Sequence, residues 1–180
     1  MKKERTIILY CAGFVILMSI WLITCTKELS SFSIIKLALL IVFSYAAMAL
    51  DLHTKRIPNM LVLVMVVVWL LLMIPMLFLS TETGLKLLAE SIYGLLIGGG
   101  LFLLVYLLSR KGLGGGDVKF MAAAGLYLGL TSTVSAILYG TILAALTGSV
   151  LILLRKIGRK DTIPLVPFLF AGIMITTFTY

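Results

Sequence analysis

Residues 60–72 read MLVLVMVVVWLLL, a run without a single charged side chain. The hydrocarbon core of a bilayer is about 30 Å thick, so a spanning helix needs roughly 17 to 25 mostly apolar residues. The apolar character continues to Leu79, which makes this segment long enough to cross. It also lacks the alternation of apolar and polar residues that a transmembrane strand shows. The run therefore predicts a transmembrane helix.

The rest of the chain has the same character. Its 180 residues are 62% apolar and 12% charged, and the mean hydropathy is +1.20. A soluble domain of this length needs far more polar surface, so the composition excludes that class. We predict an all-α polytopic transmembrane bundle that forms a single domain over 1–180. Its expected apolar segments are 7–26, 34–50, 60–79, 91–108, 118–133, 135–154 and 163–180.

The first of these segments follows a basic N-terminus and resembles a signal peptide in that respect. Its apolar stretch is longer than a usual signal core, and no small-residue cleavage site closes it. We therefore expect 7–26 to be a retained helix. The two cysteines, Cys11 and Cys25, both lie in it. They form no CxxC pair, so no zinc site is expected.

Basic residues alternate between the two sides of a seven-span chain. All of the 15 Lys and Arg residues except Lys27, Lys36 and Lys86 fall on the side that holds the N-terminus. The positive-inside rule then places the N-terminus in the cytoplasm and the C-terminus outside. The formal net charge of +8 is explained by this topology and by anionic lipid headgroups. Binding to nucleic acid is not expected.

Two aspartates stand at the ends of predicted helices. Asp51 directly follows segment 34–50, and Asp117 directly precedes segment 118–133. The span count puts both on the cytoplasmic face. Carboxylates at a membrane boundary are costly and usually serve a function. Asp117 is favourable near a helix N-terminus, but Asp51 near a C-terminus opposes the helix dipole, so a structural role alone explains it poorly.

A run of three glycines, Gly114, Gly115 and Gly116, directly precedes Asp117. A phosphate-binding loop would continue with lysine and a hydroxyl residue, and here Asp117 and Val118 follow instead. We expect the glycines to let an extended peptide lie beside Asp117. A flexible hinge is the alternative.

Two carboxylates within hydrogen-bonding reach share one proton, because both cannot ionise together. The ionised member can activate water, and the protonated member can polarise and then protonate an amide. The sequence shows no competing set of catalytic side chains. Its one histidine, His53, is expected in a loop, and it has no metal-ligand cluster or serine nucleophile motif. Hydrolysis without metal or cofactor is the predicted chemistry.

Two motifs resemble those of the type IV prepilin peptidases, a family of GxGD aspartyl proteases. They are DLHTKRIPN at residues 51–59 and GGGDVK at residues 114–119. A third stretch, IPLVPF at 163–168, is similar to the proline-containing entry to the family's last helix. The resemblance covers about 34–180 and leaves 7–26 as an extra helix before a six-helix peptidase core.

The resemblance implies that Asp51 and Asp117 are catalytic. It implies cleavage of a short basic leader from prepilin-like proteins at the cytoplasmic membrane face. Lys119, within the second motif, is expected either to orient Asp117, to meet a substrate carboxylate, or to serve only as a topology charge. The larger members of the family carry paired CxxC motifs and methylate the new N-terminus. These motifs are missing from this sequence, so methyltransferase activity is not expected.

Two other functions use the same residues. A small proton- or ion-coupled transporter would place its carboxylates at mid-membrane rather than at an edge. A presenilin-type GxGD protease would carry a Pro-Ala-Leu signature in its last helices, and this sequence has none.

Overall fold

The computed structural model describes residues 13–15, 17–21, 30–109, 113–155 and 163–179. Six helices are complete within these ranges. In chain order they are α1 (Ser31–Thr54), α2 (Asn59–Leu79), α3 (Thr81–Leu108), α4 (Gly115–Leu128), α5 (Leu130–Leu153) and α6 (Val166–Phe178).

Part of the first predicted segment is also described. Residues 13–15 and 17–21 are helical, and this piece packs on the bundle. The ring of Phe14 stacks on Tyr45 of α1 at 4.3 Å between centroids, and Trp21 is fully buried. The remainder of 7–26, including Cys11 and Cys25, lies outside the described residues.

Four of the helices, α1, α2, α3 and α5, are long and apolar enough to cross a membrane. The prediction of an all-α polytopic membrane bundle is thereby confirmed. The other two helices are shorter: α4 has 14 residues and α6 has 13. At 1.5 Å per residue each is about 20 Å long, less than the bilayer core of about 30 Å.

The predicted boundary between segments 118–133 and 135–154 is wrong. The helix break is at Gly129, whose φ of +78° lies in the left-handed region that side chains disfavour. This one residue joins α4 to α5, so Thr131, Ser132 and Thr133 begin α5 instead of ending α4. The first turn of α5 is closed by the Thr133 backbone N–H, which donates to the Gly129 carbonyl at 3.2 Å, and the Thr133 hydroxyl donates to the same carbonyl.

Other predicted boundaries differ from the observed ones because a search for apolar runs detects only the part of a helix that faces lipid. Helix α3 begins at Thr81 rather than at 91. Its polar first turn includes Glu82, which the positive end of the helix dipole favours. Helix α1 extends to Thr54, so Asp51 lies in its last turn rather than after its end. Of the remaining ends, those at Leu79 and Leu108 match the prediction and the others shift by one to three residues.

Helix α4 is the centre of the bundle and contacts α1, α2, α3 and α5. Residues 123–128 along it are all buried. Small residues let α3 lie directly against it. A methyl group added at Gly94 would collide with the carbonyl of Gly125, and one at Gly98 would lie 2.6 Å from the Met121 carbonyl oxygen. These glycines therefore form the packing face between α3 and α4.

Two further contacts position α2 and α6 in the bundle. The Tyr127 hydroxyl donates a buried 2.6 Å hydrogen bond to the Met65 carbonyl of α2. Helix α6 packs on α1 and α5. Its Gly172 lies so close to α5 that an added methyl group would be 2.6 Å from the Gly140 nitrogen. The N-terminus of α6 is thus held beside the last turn of α1.

Candidate active site

Asp51 is brought into the bundle by the last turn of α1. The residue is 6% exposed. Its Oδ2 accepts a 3.3 Å hydrogen bond from the backbone N–H of Val166, the first residue of α6. The N-terminal N–H groups of a helix have no partner within the helix and carry its positive end. The carboxylate therefore receives from α6 the favourable contact that its own helix end does not supply.

Asp117 is the third residue of α4 and not the residue before a helix, since α4 begins at Gly115. It is half-buried. Its Oδ2 accepts a 3.3 Å hydrogen bond from the backbone N–H of Gly114. This is the capping contact expected of an acidic residue in a first helical turn. The predicted proximity of Asp117 to a helix N-terminus is confirmed.

Both carboxylates lie on the wall of one cavity of about 240 Å³. The last turn of α1 and the segment after it form one side. The first turn of α4 and the glycine before it form the other. The lining residues are Asp51, Lys55, Arg56, Ile57, Gly114, Gly115, Gly116 and Asp117. Two acidic side chains that are far apart in sequence thus face one small space.

Burial raises the pKa of Asp117 from 3.8 to about 6. The negative charge of Asp51 is the second cause, and the Gly114 N–H opposes both. Asp117 stands at the start of a helix that is not among the four long enough to span. Two carboxyls that line one cavity, with the pKa of Asp117 raised, can share one proton between them. General acid–base chemistry needs this combination.

The three glycines that precede Asp117 differ in their surroundings. A methyl group added at Gly116 would lie 3.2 Å from Ile57 Cβ, so this glycine lets α4 pack against the segment after α1. One added at Gly114 would lie 3.1 Å from the Asp117 carboxyl oxygen. At Gly115 an added methyl group would meet nothing within 4 Å. Gly115 is therefore the open position of the cavity wall.

Lys119 is exposed and does not line the cavity. Its ammonium group donates a 3.0 Å hydrogen bond to the side-chain oxygen of Asn59. It is absent from the residues that line the cavity, and so is the exposed His53. Lys119 thus ties the two sequence motifs to each other. A direct role in substrate contact stays a prediction.

Three residues at the site were not singled out by the sequence. Lys55 and Arg56 were interpreted as topology charges, yet both line the cavity. Val166 is apolar and acts through its backbone, so its side chain gives no signal. The prolines on either side of it, Pro164 and Pro167, marked the segment but not the contact. Among the residues that the structure describes, no three His, Cys, Asp or Glu side chains come together to hold a metal ion.

Comparison with known proteins identifies the family. The sequence model of the type IV leader peptidase family matches residues 37–153, which include Asp51, Asp117 and the other residues that line the cavity. The chain is 32% identical over 87 residues to the prepilin leader peptidase/N-methyltransferase of Bacillus subtilis (strain 168). That match covers 46% of this chain and 35% of the relative, so the chain spans about a third of the relative's length. No solved structure matches the chain. The chain belongs to the type IV leader peptidase family.

Proposed function

We propose that the chain is a membrane-embedded aspartyl endopeptidase with Asp51 and Asp117 as its catalytic pair. Its substrates are prepilin-like proteins, from which it removes a short basic leader. The observation that carries the proposal is the meeting of the two carboxylates on one cavity wall at the ends of α1 and α4. The family supplies the class of reaction, and the relative's name supplies the class of substrate.

The chemistry follows from a shared proton. In the resting site one carboxyl is protonated and the other is ionised. The ionised carboxylate takes a proton from water as the water oxygen attacks the scissile carbonyl. The protonated carboxyl donates a hydrogen bond to that carbonyl, and a proton then passes to the leaving amine. The pair titrates together, so the two roles are not divided between named residues.

The cavity suits this reaction in size. One water occupies about 30 Å³ of liquid volume, so about 240 Å³ holds a water together with a short stretch of main chain. Gly115 leaves the wall beside Asp117 free of side-chain atoms. An extended peptide therefore has room to bring its carbonyl between the carboxyls.

The site is proposed to lie at the cytoplasmic face. Lys55 and Arg56 stand at the same end of the bundle as the two aspartates, and the positive-inside rule assigns such residues to the cytoplasm. A basic leader that remains on that side would present its junction with the apolar stem at the membrane boundary. We propose peptidase activity alone, because the 180 residues contain no CxxC pair.

The test uses the full chain in proteoliposomes with a prepilin-like substrate embedded in the same vesicles. N-terminal sequencing of the product locates the cut. The proposal expects one cut between the basic leader and the apolar stem, and loss of that cut in the Asp51→Asn/Asp117→Asn double variant. Intact substrate with the parental chain, or equal cleavage by the double variant, would reject it.

A further inference from the structure

The N-terminal turn of α6 contributes a backbone donor to the site, and it comes from a part of the chain far from both aspartate motifs. We propose that the backbone N–H of Val166 is a positioning group that fixes the orientation of the Asp51 carboxyl for catalysis. The inference rests on the proposed peptidase function and deepens it by adding a third element to the site.

Asp51 needs such a donor because it is only 6% exposed, so bulk solvent alone does not satisfy both carboxyl oxygens. Buried carboxylates are satisfied by protein hydrogen bonds. Within the described residues, the Val166 N–H is the hydrogen-bond donor to the Asp51 side chain. Lys55 also lies near enough to interact with its charge, but a flexible exposed lysine does not fix a carboxyl plane.

The donor is free to serve Asp51 because of its place in α6. Val166 is the first residue of the helix, where an N–H group has no partner within the helix. The turn that follows is closed, since the Leu165 carbonyl accepts from the N–H groups of Phe168 and Leu169 at 3.0 and 3.1 Å. The donor therefore sits on an ordered turn.

The position of that turn is also fixed from outside. Val166 is fully buried, and farther along α6 the backbone at Gly172 lies directly against α5. Oδ2 of Asp51 is engaged by Val166, which leaves Oδ1 available to water or substrate in the cavity. Without the donor, the buried carboxyl can rotate about its last bond, and fewer molecules hold a reactive geometry.

An amide-to-ester replacement at position 166 removes the N–H and leaves the side chain unchanged. It can be introduced in cell-free synthesis into nanodiscs with the hydroxy-acid analogue of valine. The matched control is the same replacement at Phe168, which removes a hydrogen bond of the same turn but none to Asp51. We expect kcat to fall about tenfold or more at 166 with little change in KM, because hydrogen bonds to charged groups are strong. The ester at 168 should change kcat far less.

Parental kcat in the 166 ester, or an equal fall in both esters, would overturn the inference. If the unmodified chain cleaves no prepilin-like substrate, the proposed function fails instead, so the two failures are distinguishable. A spectroscopic measurement does not depend on folding of the esters. Labelling with carbonyl-¹³C leucine and ¹⁵N valine selects Leu-Val amides, including Leu165–Val166, and Val166→Ala identifies its resonance.

The Val166 amide proton should resonate downfield in the parental chain and move upfield in Asp51→Ala, while other Leu-Val amides stay in place. An unchanged Val166 resonance in Asp51→Ala would contradict the hydrogen bond on which the inference depends.

Discussion

The ammonium nitrogen of Lys119 lies 3.0 Å from the side-chain oxygen of Asn59, a contact between the starts of α2 and α4. Each residue belongs to one of the two aspartate motifs, and each is exposed. The contact holds the segment after Asp51 against the helix that carries Asp117. Together with the packing of Gly116 on Ile57, it links the two segments that form the walls of the cavity.

Removing this contact should loosen the site without abolishing catalysis. We expect Lys119→Met and Asn59→Ala each to lower the free energy of unfolding by about 0.5–1.5 kcal/mol, the usual net value of one hydrogen bond. Each should also lower cleavage severalfold. The double variant should resemble either single variant in a double-mutant cycle. Fully additive losses would show that the two side chains act independently.

Close contact between α3 and α4 makes Gly94 intolerant of substitution. In Gly94→Ala the new methyl group would collide with the carbonyl of Gly125, so the helices must separate. Overpacking of this kind costs about 1–3 kcal/mol. Gly100→Ala is the matched control in the same helix, since a methyl group there meets nothing within 4 Å. Thermal unfolding in detergent should show a lower Tm for Gly94→Ala only. Equal Tm values for the two variants would contradict the close packing.

Gly115 tests whether a peptide occupies the open wall of the cavity. A methyl group added at Gly115 has no neighbouring atom within 4 Å, and alanine at a backbone position that it can adopt reduces the conformational entropy of the unfolded chain. Gly115→Ala should therefore fold at least as well as the parental chain but bind substrate more weakly, with KM raised severalfold. Gly115→Leu should raise KM further. Parental KM values in both variants would place the substrate elsewhere.

The raised pKa of Asp117 predicts how cleavage depends on pH. The proposed catalytic pair needs one shared proton, and because the pKa of Asp117 is raised to about 6, we expect the pair to lose that proton as pH rises through about 6. We expect kcat/KM, measured with a substrate lacking ionisable groups near the cut, to fall as pH rises through this value. A constant kcat/KM from pH 5 to 8 would contradict the shared proton.

The stability of the folded protein should also depend on the protonation of Asp117. Because the folded pKa of Asp117 lies above its ordinary value of 3.8, folding favours the protonated form. Its stabilising contribution is fully present below pH 3.8 and is lost as pH rises through about 6. Asp117→Asn keeps an oxygen that can accept from the Gly114 N–H, and it removes this dependence. Its Tm relative to the parental chain should therefore increase between pH 4 and pH 7. A Tm difference that does not change with pH would contradict the raised pKa.

The helical bundle and the place of the two aspartates at helix ends could be predicted from the sequence because both signals are local. Long apolar runs and a carboxylate beside such a run can be recognised without knowing their neighbours. The break at Gly129 was missed because Gly125 and Gly129 also fit a helical packing face. The backbone conformation that only glycine readily adopts at 129 cannot be distinguished from that spacing alone.

The donor to Asp51 could not be predicted for a different reason. It is a backbone group on an apolar residue, Val166, and it reaches Asp51 only through the packing of α6 on α1 and α5. Likewise, Lys55 and Arg56 were interpreted as topology charges, and that interpretation gave no indication that they line the cavity. Pairwise proximity between distant segments is set by helix packing, which a single sequence does not encode in any local pattern.

The central claim is that Asp51 and Asp117 act as one catalytic unit. Its most direct test is the initial rate of leader cleavage by Asp51→Asn and by Asp117→Asn, each reconstituted in the same vesicles as the parental chain. Asparagine matches aspartate in shape but cannot exchange a proton, so each variant should lose about a thousandfold or more in rate, within the range of general acid and base catalysis combined. The double variant should be no slower than either single variant, as expected of groups that work as a unit. Cleavage near the parental rate by either single variant would contradict the account.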